Sequence, residues 1–321
     1  EELFTTSTGL AEIRPNRRIA TPDTIWDLAS LTKVLCTTHI LLRWCASGKI
    51  DIHMPICEII NGVPEDITIA HCLSHSSGYS AWRPFYAAHT RKQNDWSKGV
   101  CRDNILQTAI KSRVESFPMS QHKYSDIGFL ILCAVIEKIS GLRIDKVWRR
   151  DLPSPPTGHL FWGNKQPAVT EDCPVRNRVV VGEVHDLNAA AMGGWSTHAG
   201  LFGSVRSVAN AALWPVKAWY NLDPTIPPEL IQQFWSYRGA GTHCLGWDTP
   251  SPYNSSASEL WPKNGIGHLG FTGCSLWIAP SQKLIVCFLS NRVHPLVEGG
   301  SIPNAPIHPR AQAFKRFRQE L

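Results

Sequence analysis

The sequence predicts an α+β fold, and three patterns along its 321 residues point there. A strand-like run followed by an amphipathic helix opens the chain. A strongly apolar helical run sits in its middle, and two β-type runs with a helical stretch after them close it. Strands at both ends with helices between them describe an interrupted domain. Residues 1–60 and 181–321 would build the α/β layer, and residues 61–180 a mostly helical insertion.

Each element has a local cause. Residues 2–13 (ELFTTSTGLAEI) are strand-like in composition with a turn at Gly9, the one strand expected before residue 30. Leu31, Val34, Leu35, Thr38, Leu41, Leu42 and Cys45 then recur at three- and four-residue spacing, the buried stripe of a helix that Gly48 stops. Residues 67–73 read as a short helix before the turn-rich Ser74-His75-Ser76-Ser77-Gly78. Residues 127–139 form the second strong helix, closed by Gly141. Residues 205–220 are helical up to Pro215, where the missing N–H should kink or end the helix. Residues 270–279 and 283–290 are β-type runs on either side of Pro280-Ser281-Gln282, and residues 311–320 read as a closing helix.

Composition narrows the function classes. With 43% hydrophobic and 18% charged residues the chain is an ordinary globular one. Its net charge of +6 is spread over distant pairs such as Arg17-Arg18 and Arg149-Arg150. Nucleic-acid binding needs a concentrated basic face, so no nucleic-acid partner is expected. The longest apolar stretch, residues 127–136, is half the roughly twenty residues of a spanning helix, so no membrane span is expected. Ten cysteines are scattered, several inside apolar patterns, and none forms a C-x-x-C pair. Together with the missing signal-peptide pattern this leans towards a reducing, cytoplasmic compartment, while a removed signal would leave a periplasmic one open.

The chemistry starts at Ser30-Leu31-Thr32-Lys33, which puts a hydroxyl and an amine on one helix face. A serine hydroxyl is a poor nucleophile at its own pKa, and a neutral amine beside it can take its proton. The helix N-terminus favours developing negative charge. Alone the pattern is weak, and it recurs at Ser120-Gln121-His122-Lys123 with no helical seam behind it. Two other segments raise its weight. Tyr124-Ser125-Asp126 stands just before the apolar helix, and His268-Leu269-Gly270 opens a predicted strand.

That order along the chain resembles the penicillin-binding proteins and serine β-lactamases, and within them the class C β-lactamase and esterase branch. Trp26-Asp27-Leu28-Ala29, Leu73-Ser74-His75-Ser76-Ser77-Gly78, Val184-His185-Asp186-Leu187-Asn188-Ala189, His198-Ala199-Gly200-Leu201-Phe202 and His268-Leu269-Gly270-Phe271-Thr272-Gly273 are similar to segments of that family. The resemblance runs from about residue 26 to 291. It implies a serine β-lactamase-like fold: an antiparallel sheet flanked by the first and last helices, beside a helical domain, with the site between. It also implies roles. Ser30 would attack an acyl carbonyl, Lys33 with a lowered pKa would sit against its Oγ, and Tyr124 would carry the proton to the leaving group. Backbone N–H groups of Ser30 and Phe271 would form the oxyanion hole on the strand after Gly270. His268 would stand in for a lysine as a weaker, pH-dependent positive charge. The implied partner is a small acyl substrate, with no cofactor and no metal.

Three departures bear on specificity. Asp126 replaces an amide, so it cannot donate to a substrate carbonyl unless protonated, though it can hold Lys33. Leu269 removes a hydroxyl that would contact a substrate carboxylate. Both favour a carboxyl ester over a β-lactam or a D-alanyl-D-alanine peptide. The family also begins with two adjacent strands where one is expected here. A zinc hydrolase is the rival from another class, through His71 and His75 at i and i+4 with Cys72, His53 or His185-Asp186, but no H-E-x-x-H occurs. A non-catalytic binding relative is the other, and intact Ser30, Lys33 and Tyr124 speak against it. His185, Asp186 and His198 are assigned to structure, since their chain order after Ser30 matches no common triad.

Overall fold

The computed structural model describes residues 2–89, 96, 99–152, 160–163 and 166–295. The closing helix expected at 311–320 lies outside them. Two short strands, β1 (Leu10–Glu12) and β2 (Arg18–Ile19), pair antiparallel ahead of β3 (Trp26–Asp27). Two adjacent strands therefore precede the first helix, where the sequence suggested one. The turn-forming Arg14-Pro15-Asn16-Arg17 link hid the second, which is only two residues long.

The first helical stretch is not uniform. A π-helical turn, Lys33–Thr37, runs straight into α1 (Thr38–Ala46), and the Thr38 N–H reaches back five residues to the Lys33 carbonyl. Such widened turns gather at functional sites because they re-aim one side chain. Then come α2 (Ile69–Leu73), α3 (Phe85–His89), α4 (Arg102–Ile110), α5 (Asp126–Ser140) and α6 (Ile144–Asp151). Helix α5 is apolar on nearly every side and packs against α2, α4 and α6, so it is the buried centre of this region. Ser125 caps it by accepting the Gly128 N–H at 3.1 Å, and Gly141 ends it at φ 67°, a left-handed conformation that glycine adopts cheaply.

Strands β4 (Phe161–Trp162), β5 (Glu171–Cys173) and β6 (Arg178–Val180) precede α7 (Leu187–Ala191) and β7 (Leu201–Gly203). Strand β7 lies between β3 and β4, and β5 pairs with β6. Helices α8 (Val205–Ala211), α9 (Leu213–Trp219) and α10 (Pro228–Ser236) follow. The interruption between α8 and α9 falls at Ala212, not at Pro215. Pro215 sits in the first turn of α9, where its missing N–H has no intrahelical partner to lose.

The last sheet has the antiparallel order β10–β9–β8, made of β8 (Ile266–Leu269), β9 (Ser275–Ala279) and β10 (Leu284–Phe288), with α8 packed on β10. His268 and Leu269 therefore end a strand, where the sequence had them opening one. The residues after Gly270 form the β8–β9 turn. One apolar core runs from Ala11 through α1 and α5 to Ile278, and a smaller cluster of Ala257, Trp261, Trp277 and Ala279 lies on the last sheet. No helix among the described residues is long and apolar enough to cross a membrane.

Candidate active site

The site is built on the short link between β3 and the π-turn. Ala29, just before Ser30, has φ 45°, a conformation costly for any residue with a Cβ. The buried Asp27 carboxylate holds it there, accepting the Ala29 N–H at 2.8 Å and the His185 N–H at 2.6 Å. Burial keeps the Asp27 carboxyl above the usual range, and these two donors oppose it. Ser30 is half-buried while Lys33 is fully enclosed.

Lys33 Nζ lies 3.0 Å from Ser30 Oγ, 2.6 Å from Asp126 Oδ1 and 3.4 Å from the His198 carbonyl. Three acceptors around one nitrogen describe an ammonium that gives away all three hydrogens. Burial pulls the Lys33 pKa down, but Asp126 and then Tyr124 outweigh it, and the net shift is upward. The lowered pKa expected from the sequence is thus reversed. Asp126 is the cause, because it places a carboxylate at the first position of α5 and against the amine.

Tyr124 is within hydrogen-bonding reach of both Ser30 and Lys33, and Lys33 Nζ stands 4.8 Å from its ring centre. Burial pushes the phenol up, with Lys33 pulling against it. Tyr124 is therefore a neutral phenol able to accept one proton while it donates another.

Strand β8 is brought alongside by close backbone packing. A Cβ on Gly270 would stand 2.7 Å from the Leu28 carbonyl, so only glycine permits this approach. Thr272 Oγ1 donates to the Asp27 carbonyl at 2.7 Å and fastens the same turn. Among the described residues, neither the Ser30 N–H nor the Phe271 N–H has a hydrogen-bond partner. Both are available to an incoming oxygen.

His268 differs from expectation. It is buried, its Nδ1 sits 2.8 Å from the Leu269 carbonyl, and burial followed by Lys33 and His243 holds its pKa well below that of an ordinary histidine. It is neutral, so it supplies no positive charge. Leu269 packs against the Trp261 and Trp277 cluster on the last sheet. Ser120, the second match to the motif, donates to the Phe117 carbonyl at 2.6 Å, while Lys123 pairs with Glu115, so these two do not meet.

Two further groupings lie near the site, the first among residues assigned to structure from the sequence. The side chains of Asp186 and His198 meet at 2.8 Å, and Ser196 Oγ lies 2.8 Å from the other ring nitrogen. Ser196 is fully buried, so this resembles a triad in form but offers no accessible nucleophile. His75, His243 and His268 turn ring nitrogens towards one another beside the Tyr124 ring. The zinc set considered above is not assembled. His71 caps α2 by accepting the Thr68 N–H at 3.2 Å, and His75 lies past the helix end at φ 54°.

The profile of the beta-lactamase family matches residues 1–304. The chain belongs to that family. It is 26% identical over 320 residues to the N-acetylmuramyl-L-alanine amidase of Bacillus subtilis (strain 168), covering 88% of this chain and 71% of that one. A putative D-alanyl-D-alanine carboxypeptidase of Salmonella enteritidis PT4 (strain P125109) is 28% identical over 327 residues, with 89% and 73% covered. Among solved structures, the penicillin-binding protein of Bacillus halodurans superposes with a TM-score of 0.71 at 14% identity, covering 97% of this chain and 91% of that one. EstCE1, a hydrolase with promiscuous acyltransferase activity, gives 0.71 at 16% identity, with 96% and 89% covered. These two show that the beta-lactamase fold is shared, α+β with antiparallel sheets as the sequence led one to expect.

Proposed function

We propose that this beta-lactamase family member is a serine hydrolase that forms a covalent acyl-enzyme on Ser30, acting on small carboxyl esters or similar acyl substrates. The observation that carries the reading is the enclosed Lys33 ammonium, shared between Ser30 Oγ and Asp126.

The charge states suggest how the protons move. Lys33 already donates to Oγ, so it supports the developing alkoxide and is not the acceptor of its proton. Tyr124 takes the Oγ proton while passing its own hydrogen to the leaving-group oxygen. The Oγ–carbon bond forms, the carbon–oxygen bond to the leaving group breaks, and no phenolate is needed. The Ser30 and Phe271 N–H groups hold the oxyanion. In deacylation, water gives its proton to Tyr124 as Tyr124 returns one to Oγ.

Asp126 favours esters. An ionised carboxylate accepts hydrogen bonds only, and Lys33 already engages it, so it offers no donor to a substrate amide. Leu269 contributes less to specificity than its place in the motif suggested, because it packs against the small apolar cluster on the last sheet. A second reading, cleavage of a D-alanyl amide, is favoured by the names of the amidase and carboxypeptidase relatives. Turnover of a short-chain nitrophenyl ester, nitrocefin and a D-alanyl dipeptide, measured side by side, separates the two. The ester is expected to turn over fastest. Faster hydrolysis of nitrocefin or of the dipeptide would replace this specificity with that of an amide-cleaving relative.

A further inference from the structure

We propose that His75, His243 and His268 form a binding site for one borderline divalent metal ion of the zinc or cobalt class, beside the Ser30 machinery and not part of it. The three residues come from the loop after α2, the segment before β8, and β8 itself. Each offers a ring nitrogen, all three of these atoms lie within 4.8 Å of one another, and all three residues are buried. Two of the nitrogens, Nε2 of His75 and of His268, are buried with no hydrogen-bond partner among the described residues. Leaving such groups empty-handed costs stability, so their convergence asks for an occupant.

The far side of each ring decides what that occupant is. His268 Nδ1 lies 2.8 Å from the Leu269 carbonyl, an acceptor, so the hydrogen is on Nδ1 and Nε2 presents a lone pair. His243 Nδ1 lies 2.9 Å from His122 Nε2 and 3.6 Å from Asp248 Oδ1, which favours the hydrogen on that Nδ1 as well. Both rings thus have the outer-side partner by which metal-bound histidines are oriented and made more basic. His75 is the reverse. Its Nδ1 accepts the Ser125 N–H at 3.0 Å, so its Nε2 carries the hydrogen and faces the cradle as a donor. Two lone pairs and one N–H fit an ion ligated by His243 and His268, with a water or hydroxide on the ion accepting from His75. Imidazole donors suit zinc, cobalt, nickel and copper rather than magnesium or calcium.

The other cluster of the same kind, Asp126, Asp186 and His198, makes the contrast. There Asp126 already holds Lys33, and both ring nitrogens of His198 are engaged, by Asp186 and by Ser196, so no ring nitrogen is left waiting. The histidine site also differs from the His71, Cys72 and His75 set considered from the sequence, and departs from the metal-free expectation. Its rings pack on Tyr124, so an ion there acts on the site through its charge and not by touching Ser30.

Titration of the full chain with cobalt(II), followed by its visible absorption and by equilibrium dialysis, tests the site. Wild-type protein is expected to bind one ion with the visible bands of nitrogen-ligated cobalt. His243→Ala and His268→Ala should each weaken binding by at least about tenfold, the cost that even an outer-sphere partner carries. His71→Ala and His53→Ala should bind as wild type. If a histidine variant unfolds, the cobalt spectrum of the wild-type protein still decides the matter. Wild-type protein without those bands, or equal binding by a folded His243→Ala variant, would overturn the site and leave a buried water in its place.

Discussion

At the scale of single residues, Asp126 sets the charge of the site. The sequence shows Ser30, Lys33, Tyr124 and Asp126 as motif members, and the structure brings all four together. Charge state was not legible, because it depends on the balance of burial and partners. The Lys33 pKa is pulled down by burial and raised further by Asp126 and Tyr124. A lysine whose folded pKa is raised contributes stability that is present below its ordinary value and lost as pH rises through the folded one. In Asp126→Asn the larger upward influence goes while burial and Tyr124 remain, so the Lys33 pKa falls. The limb of the pH–rate profile that reports this lysine should move to lower pH, and stability at neutral pH should fall by about 3 kcal/mol, as for a broken buried pair. Activity profiles and denaturant unfolding check both. An unmoved profile would mean that Asp126 does not govern Lys33.

At the scale of elements, the long periodic segments were legible and the short ones were not. Helices α1 and α5 follow from apolar spacing with glycine stops, and β9 and β10 from β-type runs about a proline turn. Strand β2 has only two residues and no periodicity to read, and the position of Pro215 could be judged only once the start of α9 was known. The approach of β8 to the β3 link is likewise a tertiary fact. Gly270 makes it, since a Cβ would stand 2.7 Å from the Leu28 carbonyl. Gly270→Ala should cost about 1–3 kcal/mol of stability, as overpacking does. Displacing the Phe271 N–H should lower kcat by roughly a hundredfold, the loss expected for one oxyanion donor. Thermal unfolding beside steady-state kinetics separates the two effects. A variant with unchanged kcat would remove Phe271 from the oxyanion hole.

At the scale of the whole molecule, family membership was readable because its motif segments are spread across the chain and the family profile spans residues 1–304. The histidine cluster was not readable, since residues 75, 243 and 268 are joined only by folding and His243 stands in no motif. The neutral state of His268 has the same origin, for it comes from burial among residues distant in sequence. The fold thus delivers a serine and its ammonium partner to one place, and the central claim is that an acyl group rests on that serine. Covalent trapping tests it most directly. The protein is treated with a fluorophosphonate and with a slowly deacylating ester, and the modified peptide is located by mass spectrometry. The account predicts a single adduct on Ser30, absent in Ser30→Ala and retained in Ser120→Ala. An adduct on another residue with Ser30 unmodified, or ester turnover by folded Ser30→Ala at the wild-type rate, would contradict it.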